Sequence, residues 1–131
     1  MKGIGLLFFV SGVFYGLGGM LLGIHMGMAQ DFTLAPAHAH LNLLGFVTMS
    51  LMGIFYHLTP KAAETLLARI QFGLSTAGVW TMVPGIALAV TGSGEVLAIA
   101  GSLLVVSGMA AFLVNILLTL RSRSQTALAA A

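Results

Sequence analysis

Residues 96–120 read VLAIAGSLLVVSGMAAFLVNILLTL, 25 consecutive positions without a charged side chain. A helix that crosses a bilayer needs about 20 mostly apolar residues, so this run alone is long enough to span. Three more such runs precede it, over 4–28, 37–58 and 66–90. The whole chain has 131 residues, 59% of them hydrophobic and 6% charged, with a mean hydropathy of +1.08. A soluble domain carries roughly a quarter of its residues as charges; the composition therefore excludes soluble enzyme folds. The expected fold class is an all-α integral membrane protein with four transmembrane helices in a single domain, 1–131, embedded in a lipid bilayer. The absence of cysteine excludes disulfides, thiolate-ligated iron-sulfur clusters, thiol nucleophiles and covalently attached c-type haem. A net charge of +2 and a pI near 9.5 could point to nucleic acid, but with so few charges the balance reads as membrane orientation, and no nucleic-acid partner is expected.

The connections between the runs are short, so consecutive helices are expected as antiparallel neighbours. Lys2, Lys61, Arg69, Arg121 and Arg123 then fall on one side, with Asp31 and Glu95 on the other. The positive-inside rule puts both termini in the cytoplasm, with a bacterial inner membrane as the expected location. The first run is too long for the ~7–15-residue core of a signal peptide and reads as a span. It carries Gly12, Gly16, Gly19, Gly23 and Gly27, a nearly bare backbone face suited to helix packing; Gly101 and Gly108 give the fourth run a similar character. Pro84 in the third run removes a backbone donor, so a kink is expected near Ala77 to Trp80. Trp80 is expected to fill that kink, with stacking on a bound ring as the alternative. The Ala-rich tail after Ser124 is expected to fray.

Four histidines are the ionisable groups best placed for chemistry. His38 and His57 lie on one helix about 28 Å apart by helical rise, hence at opposite membrane faces. His57, beside Tyr56 and just before Thr59 and Pro60, reads as an interfacial side chain. His25, His38 and His40 gather near the other face, with Asp31 in the connection above them. Pro36-Ala37-His38-Ala39-His40-Leu41-Asn42 opens the second helix, where proline in the first turn is tolerated. Two residues apart on an α-helix is about 200°, so His38 and His40 point in nearly opposite directions. That spacing is poor for one mononuclear site but suits a helix standing between two sites. Two hydrogen-bonded histidines without a ligand are the alternative, weighed against the cost of polar groups at membrane depth.

The stretch PAHAHLNLLGFVTMSLMGIFYHLTP, 36–60, resembles the tenth helix of the catalytic subunit (subunit I) of haem-copper oxidases, closest to the C-type oxidases and nitric oxide reductases. The resemblance rests on the H-x-H pair with Gly45, Gly53, Tyr56, Leu58 and Pro60 in register, and it covers about a fifth of the chain. It implies that His38 matches the ligand of the high-spin haem and His40 that of the low-spin haem. The family's subunit has twelve helices in three pseudo-equivalent units of four, with ligands on the second helix of each. Four helices here, with the ligand pair on the second, imply a homotrimer that reproduces the twelve-helix arrangement. A His followed four residues later by Asn, as in His38 and Asn42, matches the second-helix pattern of some members. His38 of one protomer would then face His40 of its neighbour across one bis-His haem b.

This chain departs from the family where copper is held: neither His-Pro-Glu nor His-His occurs in it. Oxygen reduction at a haem-copper centre is therefore not expected, no catalytic residue is assigned, and whether the protein is an enzyme stays open. The family also anchors haem propionates with basic residues on the outer side, where this chain has none; Gln30, Thr33, backbone amides or protonated propionates would have to serve. The expected function is a membrane b-type haem protein that transfers electrons with a redox partner or binds a diatomic gas. The expected cofactor-binding residues are His38, His40, Asn42, Gly45 and Trp80, with His38 and His40 on the iron. One alternative is a copper or zinc site built from His25, His38 or His40 and Asp31. Another is an accessory or assembly subunit that docks on a respiratory complex through the glycine-rich first helix.

Overall fold

The computed structural model describes residues 1–129, with Arg123 and residues 125–129 described for their backbone alone. All regular elements among them are helices: α1 (Gly3–Ala29), α2 (Ala35–Leu58), a single turn α3 (Pro60–Ala63), α4 (Leu66–Val90) and α5 (Val96–Ala129). Four of these are long and apolar enough to cross a membrane: α1, α2, α4, and α5 over Val96–Ser122.

Local chemistry sets the boundaries. α1 stops where Gln30 turns left-handed, at φ 51°, and its N–H returns to the Met26 carbonyl. Pro36 sits in the first turn of α2, where its missing N–H costs nothing. The Thr65 side chain caps α4 by accepting from the Ala68 N–H at 3.1 Å. Between α4 and α5 the chain reverses through Gly92 and Gly94 at φ +79° and +113°, backbone angles that residues with a Cβ avoid. The backbone of α5 is helical through Ala129; the tail holds Gln, Leu and several Ala, good helix formers, and no Gly or Pro.

α2 is not the regular α-helix that its sequence implies. Over Leu41–Thr48 it widens to π-helical, i to i+5 bonding, a rare form that mostly occurs as single turns. The Asn42 side chain donates to the His38 carbonyl at 2.9 Å, occupying the acceptor that an α-helix would offer to Asn42's own N–H. At the far end Thr48 Oγ1 donates to the Leu43 carbonyl, five residues back, at 2.8 Å. Each residue the wide turns absorb rotates everything after it by about 100°.

The helices pack as two antiparallel pairs. In the first, α1 presents glycines to α2. A Cβ at Gly5 would lie 3.1 Å from the Gly53 carbonyl, one at Gly12 2.5 Å from Ser50 Oγ, and one at Gly16 2.9 Å from the Phe46 ring. The packing face expected from the sequence is therefore real at Gly12, Gly16, Gly19 and Gly23, but Gly27 has no neighbour within 4 Å and lies beyond it. Because α2 covers this face, it is not available to dock an outside subunit. In the second pair, α4 and α5 approach so closely that a Cβ at Gly85 would lie 2.3 Å from the Ala98 nitrogen, and one at Gly101 2.3 Å from the Met82 nitrogen. Small residues permit such approach, and dispersion between backbones then holds the pair without any hydrophobic gain.

Aromatic rings join the pairs. Phe8 of α1 stacks on Tyr56 of α2 (5.5 Å between centroids) and meets Phe72 of α4 edge-on (5.0 Å), while Phe55 meets Phe112 of α5 at 5.0 Å. Around this seam Met49, Met52, Ala62, Ala68 and Val79 complete the buried core. Outward, Phe14, Leu17 and Leu21 on α1 and Leu103, Val106 and Leu113 on α5 are exposed; so wide an apolar surface fits lipid rather than water.

Pro84 lies inside an unbroken α4. Trp80 does not fill the turn before it. Met82 and Val79 take the inner positions, both 3% exposed, and Trp80 stands 61% exposed on the flank, edge-on to Tyr15 at 6.3 Å.

Candidate functional site

One end of the bundle collects Lys2, Lys61, Glu64, Arg69 and Arg121; the side chain of Arg123 lies outside the described residues. The opposite end holds His25, Asp31, His38 and His40, as the last turn of α1, the connection and the first turns of α2 converge there.

His38 is half-buried and turned towards α1. Its ring lies over Gly23, where a Cβ would come within 3.0 Å of His38 Cε1. The Asn42 amide nitrogen is 3.4 Å from each of the two ring nitrogens while it bonds the His38 carbonyl. Asn42 in turn fits over Gly19, where a Cβ would come 2.5 Å from its amide. Two glycines of α1 thus make room for the two polar side chains of α2. His40 is exposed on another side of the helix, and its Nδ1 lies 2.8 Å from the Pro36 carbonyl. A carbonyl can only accept, so Nδ1 carries the hydrogen, and in the neutral imidazole Nε2 is the free lone pair. A backbone bond of this kind is how a ligating histidine is fixed in tautomer and orientation.

The other expected residues are dispersed. Gly45 is buried beneath Tyr15, whose Cβ would be 2.8 Å from a Cβ at that position, so it serves the α1–α2 crossing. Trp80 lines an apolar recess of about 200 Å³ with Phe14, Tyr15, Leu41 and Pro84; Leu41 directly follows His40. His25 is exposed. Asp31 accepts from the Thr33 hydroxyl at 2.6 Å and the Thr33 N–H at 2.9 Å. These bonds hold its carboxyl below the usual range, the hydroxyl most, with His25 adding a smaller electrostatic pull. Among the described residues of a single chain no three His, Asp or Glu side chains gather into a metal-binding group. His57 is exposed at the basic end.

A second polar cluster is not foreseen from the sequence. Tyr56, Gln71 and Asn115 are all but fully buried. The Tyr56 hydroxyl donates to Gln71 Oε1, and Gln71 Nε2 donates to the Met52 sulfur at 3.0 Å. Asn115 Nδ2 reaches the Tyr56 hydroxyl, the Ala62 carbonyl and Thr65 Oγ1, each at 3.1 Å. This network ties α2, α4 and α5 together next to the short α3. The signal that could have revealed it is an amide inside each of two apolar runs, since an intramembrane polar side chain requires a partner.

No protein-family model, curated protein or solved structure matches this chain.

Proposed function

We propose that this protein is a membrane b-type haem protein that works as a homotrimer, with each haem held between His38 of one protomer and His40 of the next. The observation that carries the reading is the state of His40: exposed, its Nδ1 tied to the Pro36 carbonyl, and its Nε2 free to ligate something outside its own chain. His38, half-buried against Gly23 of its own α1, is assigned as the second ligand, for the haem shared with the other neighbour. Imidazoles from two protomers would together supply the ligands of a bis-His iron, and the lack of cysteine leaves haem b rather than a covalent haem. Such a haem supplies a reversible one-electron couple. The chain's residues do the rest: the Pro36 carbonyl orients one ligand, Asn42 and Gly23 position the other, and the apolar recess beside Leu41 limits water. Electron transfer is the activity this supports, because two histidines holding the iron would leave no place on it for a substrate.

Two measurements test the proposal. Protein purified in mild detergent after expression with ample haem is expected to give a b-type pyridine haemochrome and a trimer mass with three haems by native mass spectrometry. Haem-free protein carrying stoichiometric copper or zinc would replace this reading with the metal-site alternative, and a monomer as the only species would refute the shared pocket. The same reading has both termini in the cytoplasm, since the basic residues share one end. A reporter active only in the cytoplasm, fused after Ala131, is expected to be active; one active only after export is expected to be silent.

A further inference from the structure

A cavity lies away from the histidine pair, at the basic end. It has a volume of about 900 Å³ and opens between the start of α1, the end of α2 and the start of α4. Its polar lining includes Lys2, His57, Arg69 and Glu64, that is, two fixed cations against one carboxylate. Its apolar lining, from Ile4, Leu7 and Phe72, belongs to the membrane-spanning parts of α1 and α4. Nothing in the haem reading uses this space.

We propose that this cavity binds an anionic phospholipid, with the headgroup phosphate between Lys2 and Arg69 and the upper acyl chains along Ile4, Leu7 and Phe72. Three observations converge on that occupant. The charge balance of the mouth favours an anion. The volume falls in the range of sites for sizeable organic ligands, about 300–1,000 Å³, far more than a free phosphate ion needs. Polar groups at the mouth over an apolar wall repeat the order of a lipid, headgroup above hydrocarbon, and basic pockets between transmembrane helices are a recurrent form of lipid-headgroup site. Lys2 and Arg69 come from different helices, so a phosphate between them would clip the start of α1 to the start of α4. This site would bind its lipid whether or not haem is present.

The test is lipid retention by the full-length protein in native mass spectrometry. Delipidated protein would be titrated with dioleoyl-phosphatidylglycerol, dioleoyl-phosphatidylcholine or inorganic phosphate. Phosphatidylglycerol is expected to be retained in preference to phosphatidylcholine. In a Lys2→Gln/Arg69→Gln variant that preference should fall by about thirtyfold, the value of two basic groups near an anionic lipid. Both side chains are exposed, and a detergent melting temperature equal to wild type would show that the variant is folded. A Lys61→Gln/Arg121→Gln variant removes the same charge from the same end but outside the cavity, and should keep the preference. Equal retention of the two lipids, equal loss in both double variants, or competition by inorganic phosphate as effective as by the lipid would each overturn the proposal. If the Lys2→Gln/Arg69→Gln variant fails to fold, single Lys2→Gln carries the test, with a partial loss expected and no loss overturning it.

Discussion

His40→Ala is expected to abolish the low-spin haem spectrum of the purified protein, and His38→Ala to do the same. In the proposed trimer each substitution removes one axial ligand from all three pockets, so neither leaves an intact bis-His iron. His57→Ala, about 28 Å away along α2 by helical rise, is expected to leave the spectrum unchanged. Pyridine haemochrome and reduced-minus-oxidised spectra of these three variants are the measurement. The two histidines also differ in a way the spectra can read. His40 is held by one backbone bond on an exposed side of the helix, so Ala there opens the site with little change to the fold. His38 packs on Gly23 beside Asn42, so its removal also loosens the α1–α2 contact. A full low-spin spectrum in His38→Ala, together with its loss in His25→Ala, would move the ligand from α2 to α1.

The second large effect concerns the α4–α5 pair. Gly101→Ala and Gly85→Ala are each expected to destabilise the bundle, although alanine favours a helix by up to ~1 kcal/mol over glycine. The new methyl would meet backbone atoms at 2.3 Å, and backbone cannot move aside as a side-chain tip can. The helices must separate, at a cost of about 1–3 kcal/mol or more for such overpacking. Gly27→Ala is the control: nothing lies within 4 Å of its Cβ position, so only the gain in helix propensity remains. Thermal melting in detergent is expected to fall by several degrees for the first two variants and to hold or rise for the third. Unchanged melting of Gly101→Ala would mean that the two helices do not approach this closely.

The four long helices were legible in the sequence because a bilayer imposes one local requirement: about 20 apolar residues with every backbone group bonded within the segment. That demand leaves its mark residue by residue, as it does over 96–120, and needs no knowledge of neighbours. The opposed projection of His38 and His40 was legible for the same reason, since both lie in the α-helical first turns of α2, before the wide segment begins.

Beyond Leu41 the course of α2 could be decided only in three dimensions. The π-helical turns depend on Asn42 and Thr48 side chains choosing backbone carbonyls of their own helix, a competition that composition and spacing do not resolve. Tyr56 lies in the core beside Gln71 and Asn115, while its neighbour His57 is exposed. Glycine spacing marked a packing face on α1, but whether another helix of the chain or a separate protein would cover it was a tertiary question, answered by the fit of Ser50, Phe46 and Asn42 into its gaps. Trp80 shows the same limit: its position relative to Pro84 was readable, yet its direction came from Met82 and Val79 filling the inner side. Hydropathy specifies that a segment crosses a membrane, because that is a property of the segment and its solvent. The partner of each face, and the direction of each functional side chain, belong to contacts between segments, which exist only once the helices have packed.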